Sequence, residues 1–150
     1  MSRRNSYPIS DARILLVDDN AHGLSARRCV LEELGYRITT AASGADALDQ
    51  FHRQAFDLVV TDFKMPRMDG VELIARLRKQ APGLPIILIS GFVDSLGLDE
   101  ETTGADAVIQ KSANEVSHLV RSVGRLLRRP PAKKRAAGET PSVKSKRKSV

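Results

Sequence analysis

Four chemically distinct groups stand at the ends of apolar runs. Asp18 and Asp19 close "ILLVDD", Asp62 closes "LVVTD", Ser90 closes "IILIS", and Lys111 follows "AVIQ". Three carboxylates brought together without a cation repel and raise one another's pKa, so such a cluster calls for a positive partner. A hard divalent cation is the natural one, and Mg2+ takes one or two carboxylates, waters and phosphate oxygens. Lys111 adds a fixed monovalent charge and Ser90 a hydroxyl donor. Metal, ammonium and hydroxyl together suit a phosphoryl group, whose transition state spreads negative charge over three equatorial oxygens. A carboxylate held among them, Asp62, can act as nucleophile and form an aspartyl phosphate.

For these groups to meet, the chain must deliver them to one place. Five short apolar runs read as strands: Ile14–Val17, Tyr36–Thr40, Leu58–Thr61, Ile86–Ile89 and Ala107–Ile109. Several are continuous rather than alternating, the pattern of strands covered on both faces. Helical stretches lie between them. Asn20 to Leu34 carries Leu24, Val30, Leu31 and Leu34 at helical spacing and stops at Gly35. Ser43 caps a second stretch, to Arg53, with Ala47, Leu48 and Phe51 on one side. Asp69 with Glu72, and Ser112 with Glu115, have the spacing of capping boxes ahead of two more helices. Val93 to Thr103 gives the weakest helical signal, with Gly97 inside it, four acids and few apolar anchors. Strands alternating with helices imply right-handed crossovers and a parallel sheet. The expected fold is an α/β three-layer sandwich of five β/α units. Ligands of such open sheets bind beyond the carboxyl ends of the strands, which is where all four groups fall.

Taken singly, each group has a plain explanation: an acidic pair after a strand often serves a helix N-terminus, a lone lysine is usually solvated, and a serine often sits in a turn. Asp69 reads as a helix cap. His22, His52 and His118 read as surface or helix residues rather than ligands, and Cys29 as a core or half-buried helix residue. Order and spacing together change the reading. "ILLVDDN", "VVTDFKMPRMDG", "IILISG" and "VIQKS" resemble, in sequence and spacing, the receiver domain of two-component response regulators, over about residues 11 to 129. The resemblance implies a flavodoxin-like (βα)5 sandwich with parallel strand order 2-1-3-4-5. It implies Asp62 as the phosphoacceptor. Asp18 and Asp19, with Asp62 and the backbone carbonyl of Lys64, would be the Mg2+ ligands, Ser90 the switch hydroxyl and Lys111 the partner of a phosphoryl oxygen. It also implies a sensor histidine kinase or phosphotransfer protein as donor, a downstream protein target, and no enzymatic activity beyond the protein's own phosphorylation and dephosphorylation. An aspartyl-nucleophile phosphatase fits less well, because it needs a second acid near the nucleophile for proton transfer.

The chain departs from the family pattern at two positions. Ser112 stands where a proline usually follows the lysine, which removes the constraint favouring a cis peptide. Val108 stands where a tyrosine or phenylalanine is usual, so no ring can swing there, and altered output through the face formed by the fourth helix, fifth strand and fifth helix is expected. Lys64 and Phe92, two residues past Asp62 and Ser90, flank the expected phosphoryl group; a charge that holds it and a ring that shields it predict slow self-dephosphorylation.

Composition sets the remaining bounds. Hydrophobic residues make up 41% of 150, enough for a core, and with aromatics at 4% that core is aliphatic. No apolar run approaches the roughly 18 residues of a membrane span, and one cysteine excludes an internal disulfide; a reduced, cytoplasmic setting is expected. The net charge of +6 comes from residues 130–150, which carry seven Lys/Arg and one acid, leaving the rest neutral. The expected organisation is a flexible stretch at 1–10, a receiver at 11–129 and a basic, disordered tail at 130–150, without a sequence-specific DNA-binding domain, as a monomer or weak dimer. Two function classes therefore compete: a single-domain signalling receiver, and a nucleic-acid-associated protein whose basic tail is regulated by the receiver.

Overall fold

The computed structural model describes residues 11–128. Five parallel strands, β1 (Arg13–Val17), β2 (Arg37–Ala41), β3 (Leu58–Asp62), β4 (Ile86–Ser90) and β5 (Ala107–Gln110), form one sheet in the order β2-β1-β3-β4-β5. This is the expected flavodoxin-like order. The central strands β3 and β4 are buried along their whole length, while the edge strands β2 and β5 are only partly covered. That is the physical basis of the continuous apolar runs at "LVV" and "IILI": a strand with helices on both faces has no polar side.

Successive residues of each strand feed opposite layers. Leu15, Val17, Val59, Ile86 and Leu88 pack with α2 (Gly44–Arg53) and α3 (Gly70–Gln80) through Ala47, Leu73, Ile74 and Leu77. Ile14, Leu16, Val60, Ile87 and Ile89 pack with α1 (Ala21–Glu33) and α6 (Glu115–Arg128) through Leu31, Leu119, Val123 and Leu126. The starts of α1, α2 and α3 are fixed by side-chain caps. Asn20 Oδ1 accepts from the N–H groups of His22 and Gly23, Ser43 Oγ from Asp46, and Asp69 Oδ1 from Glu72 at 2.9 Å.

Several sequence expectations change here. The weak helical region resolves into two single turns, α4 (Val93–Leu96) and α5 (Glu100–Thr103). Gly97 and Gly104, left-handed at φ 64° and 82°, end them. No residue of α4 is buried, so nothing pulls the segment into one longer helix. The Ser112–Glu115 capping box does not form: Ser112 Oγ accepts instead from Asn114 N–H at 3.1 Å, and the Glu115 carboxylate turns to Arg27. In the Asp69–Glu72 pair only the Asp69 half caps, because the Glu72 carboxylate pairs with Arg76 one turn on. Cys29 and Leu34 are exposed, since α1 turns Arg27 and Leu31 to the core and these two residues away from it. The stretches expected to be flexible or disordered, 1–10 and 130–150, lie outside the described residues.

Candidate functional site

The carboxyl edge of the sheet gathers the groups that the sequence singles out. Asp62 is the last residue of β3 and Ser90 the last of β4; both are buried. Asp18 and Asp19 follow β1 and Lys111 follows β5. The register that sets them side by side pairs Val17 with Thr61, Asp62 with Ile89, and Ser90 with Gln110. Backbone bonds extend it past the strand ends: Asp18 N–H donates to Ala41 O, Phe63 N–H to Ile89 O and Lys111 N–H to Ser90 O.

Asp18, Asp19 and Asp62 each offer a carboxylate oxygen within 4.8 Å of the other two. Asp18 and Asp62 are buried and Asp19 is exposed, so the cluster opens to solvent on one side. Lys111 Nζ lies 2.7 Å from Asp62 Oδ1, which takes no other hydrogen bond among the described residues. Burial pushes the Asp62 carboxyl above the usual range; the Lys111 ammonium opposes that shift and the Asp18 charge adds to it. An all-oxygen set of three converging acids, two of them buried, fits a small hard cation such as Mg2+. Two glycines keep the cluster open. A Cβ on Gly23 would lie 2.7 Å from Asp18 Oδ2, and one on Gly70 would lie 2.3 Å from the Asp62 carbonyl.

Ser90 Oγ accepts from Phe92 N–H at 2.9 Å, which leaves its own proton free to donate. The loop after β3 is closed where Gly70 N–H meets Phe63 O at 2.7 Å, and Arg67 within it is left-handed, at φ 69°. Lys64 is exposed in that loop, two residues past Asp62, with Nζ 5.2 Å from the centroid of the Phe92 ring; Phe92 meets Phe63 edge-on. Val108 is half-buried on β5. Every peptide bond among the described residues is trans, including Lys111–Ser112. His22, His52 and His118 are exposed on α1, α2 and α6, outside the carboxylate cluster.

One residue at the site was not singled out from the sequence. Arg27, 5% exposed, donates from Nη1 to Asp18 Oδ2 and from Nε to Glu115 Oε2, both at 2.8 Å. Burial lowers its pKa, but the two carboxylates more than reverse this and hold it above its ordinary value. An open groove of about 420 Å3 runs beside this pair between the start of α1 and the β5–α6 loop, bordered by Asp18, Arg27, Lys111 and Glu115.

Comparison with known proteins agrees with this fold. The sequence model of the response regulator receiver domain matches residues 14–123. The response regulator receiver protein CpdR of Brucella abortus is 31% identical over 115 residues, 77% of this chain and 96% of that protein. The transcriptional regulatory protein GlrR of Escherichia coli is 40% identical over 79 residues, 53% of this chain but only 18% of GlrR. The chain thus spans less than a fifth of that longer relative. Among solved structures, the response regulator TrrA of Thermotoga maritima, in complex with Mg(2+)-BeF, superposes with a TM-score of 0.69 at 34% identity, covering 77% of this chain and 98% of TrrA.

Proposed function

From the premise that the chain belongs to the response regulator receiver domain family, we propose that Asp62 accepts a phosphoryl group from a histidine kinase or a phosphotransfer protein, and that the phosphorylated form signals by protein contact. The observation that carries this reading is the Asp62 carboxylate: buried at the end of β3, paired with Lys111 at 2.7 Å and clustered with Asp18 and Asp19. An Asp62 oxygen attacks phosphorus in line with the leaving group. The new P–O bond forms as the donor's P–N bond breaks, and its electron pair returns to the imidazole nitrogen. The Lys111 ammonium passes from the carboxylate to a phosphoryl oxygen, and the Ser90 hydroxyl donates to another. Asp18, Asp19, Asp62 and the Lys64 carbonyl are the candidate ligands for Mg2+, which when bound supplies charge neutralisation for the transferred group. That TrrA carries Mg(2+)-BeF supports this assignment. Such a protein turns over nothing but its own phosphoryl group. Among the described residues no helix is long and apolar enough to cross a membrane.

The test is incubation with acetyl phosphate and Mg2+, read by intact mass. One added phosphoryl group is expected in the wild type, and none in Asp62→Asn or with EDTA. A folded wild type that gains no mass, from acetyl phosphate or from phosphorylated kinase, overturns the reading. The confinement of the +6 charge to residues 130–150 favours a second role, phosphate-backbone contact with nucleic acid. Salt-sensitive DNA binding that disappears on truncation at Pro130 would support it.

A further inference from the structure

Arg27 is a whole charge in a place built for an apolar side chain. It lies on the face of α1 that carries Leu31, among the layer that also holds Leu119 and Val123. Taking a guanidinium out of water is costly unless its donors are matched. Here two of the five are matched by carboxylates: Nη1 meets Asp18 Oδ2 and Nε meets Glu115 Oε2, each at 2.8 Å. The fork is rigid and planar, so two bonds fix its orientation. The other Asp18 oxygen, Oδ1, accepts from Asn20 N–H at 3.0 Å. One buried cation therefore joins a carboxylate of the metal pocket to Glu115, the first residue of α6, 88 positions away in the chain. Lys111 is engaged on Asp62, so Arg27 is the cation that answers the charge of Asp18.

We propose that Arg27 is a positioning residue that couples occupancy of the metal pocket at Asp18 to the seating of the first turn of α6, with Glu115 setting the strength of the coupling. The inference rests on the Mg2+ reading of the pocket. A divalent cation and Arg27 draw on the same carboxylate charge. An ion at Asp18 loosens its hold on Arg27 and turns the guanidinium toward Glu115. In the other direction, Glu115 neutralises Arg27 and leaves Asp18 more available to the ion. The coupling is reciprocal, as any linkage between two binding events must be.

The experiment is calorimetric titration of the full chain with MgCl2. Glu115→Gln leaves the Arg27 charge undivided on Asp18, and Mg2+ affinity is expected to fall by about fivefold. Arg27→Met fills a similar volume without charge, and affinity is expected to rise by a comparable factor. Adding Glu115→Gln to Arg27→Met is expected to change nothing further, because the glutamate acts only through the arginine. Amide exchange over residues 115–119 is expected to respond to Mg2+ in the wild type and not in Arg27→Met. If the wild type binds Mg2+ but Glu115→Gln and Arg27→Met both leave affinity unchanged, or both weaken it, Arg27 is only a structural strut and the proposal fails. Should Arg27→Met not fold, the proposal stands or falls on Glu115→Gln, whose site is on the rim of the groove. A wild type that binds no Mg2+ removes the metal reading itself, and this inference with it.

Discussion

Gly70 offers the sharpest test of how the Asp62 carboxylate is positioned. A methyl placed on it would lie 2.3 Å from the Asp62 carbonyl oxygen, 3.0 Å from Phe63 Cα and 2.8 Å from Leu88 Cδ1, where ordinary contact begins at 3.4 Å. The leucine methyl can rotate away. The two backbone atoms cannot, so the segment carrying Asp62 and the start of α3 must part by about 1 Å, the difference between 3.4 and 2.3 Å. That movement also strains the 2.7 Å bond from Gly70 N–H to Phe63 O, which closes the loop. Overpacking of this kind costs about 3 kcal/mol. For a domain of this size that is a fall in Tm of about 10–15 °C. The displaced carboxylate also moves out of line with Lys111, so phosphoryl uptake by Gly70→Ala is expected to drop by about tenfold or more, since a 1 Å misplacement can cost a hundredfold. Gly91→Ala is the control. It also sits beside the site, but nothing lies within 4 Å of its added methyl, and its Tm is expected to stay within about 2 °C of wild type. Differential scanning calorimetry and the acetyl phosphate mass assay read both effects. A Gly70→Ala protein that melts with the wild type and accepts phosphate at its rate would refute the reasoning.

The buried Asp62 carboxyl has a folded-state pKa raised above 3.8, chiefly by desolvation. An acid shifted this way binds protons more tightly folded than unfolded, so it favours the fold below 3.8 and that contribution is lost as pH rises through the raised value. Asp62→Asn should therefore be more stable than wild type at neutral pH without Mg2+, with the gap closing below about pH 4; urea unfolding that shows a pH-independent gap would contradict this. Lys64→Ala is expected to shorten the phosphoryl lifetime several-fold by removing the ammonium that caps Phe92, as followed by loss of the phosphorylated mass; an unchanged decay would dismiss the role. Leu31→Ala, at a fully buried position, is expected to cost about 2–5 kcal/mol, while Leu34→Ala, 47% exposed, should stay within about 0.5 kcal/mol. Equal losses in chemical denaturation would mean that the buried face of α1 is misassigned.

The legible part of this chain is the part in which one residue type has one reason to be present. "LVV" and "IILI" are continuous because β3 and β4 are covered on both faces, and the acid and the serine that end them have no role in a core. Signals failed where two structural partners competed for one side chain. Glu115 has the spacing of a capping partner for Ser112, but a buried guanidinium outbids an exposed backbone N–H, because leaving Arg27 half-paired in the core would cost far more than leaving a helix end to water. Over Val93–Thr103 the helical pattern was weak because no apolar residue anchors it, and the left-handed Gly97 divides it.

Arg27 was missed for a related reason: beside Ser25, Ala26 and Arg28 it reads as one more solvated cation. The signal was nonetheless present. Leu24, Arg27 and Leu31 follow one another at intervals of three and four, a single stripe of α1 with a charge at its centre. A cation in the apolar stripe of a helix that directly follows an acidic strand end has one nearby way to be neutralised, and that is to reach back to the strand. Asp18 lies nine residues earlier, directly after the end of β1. The same stripe that builds the core thus brings its one charge to the pocket, and the acid that receives it belongs to the pocket's carboxylate cluster.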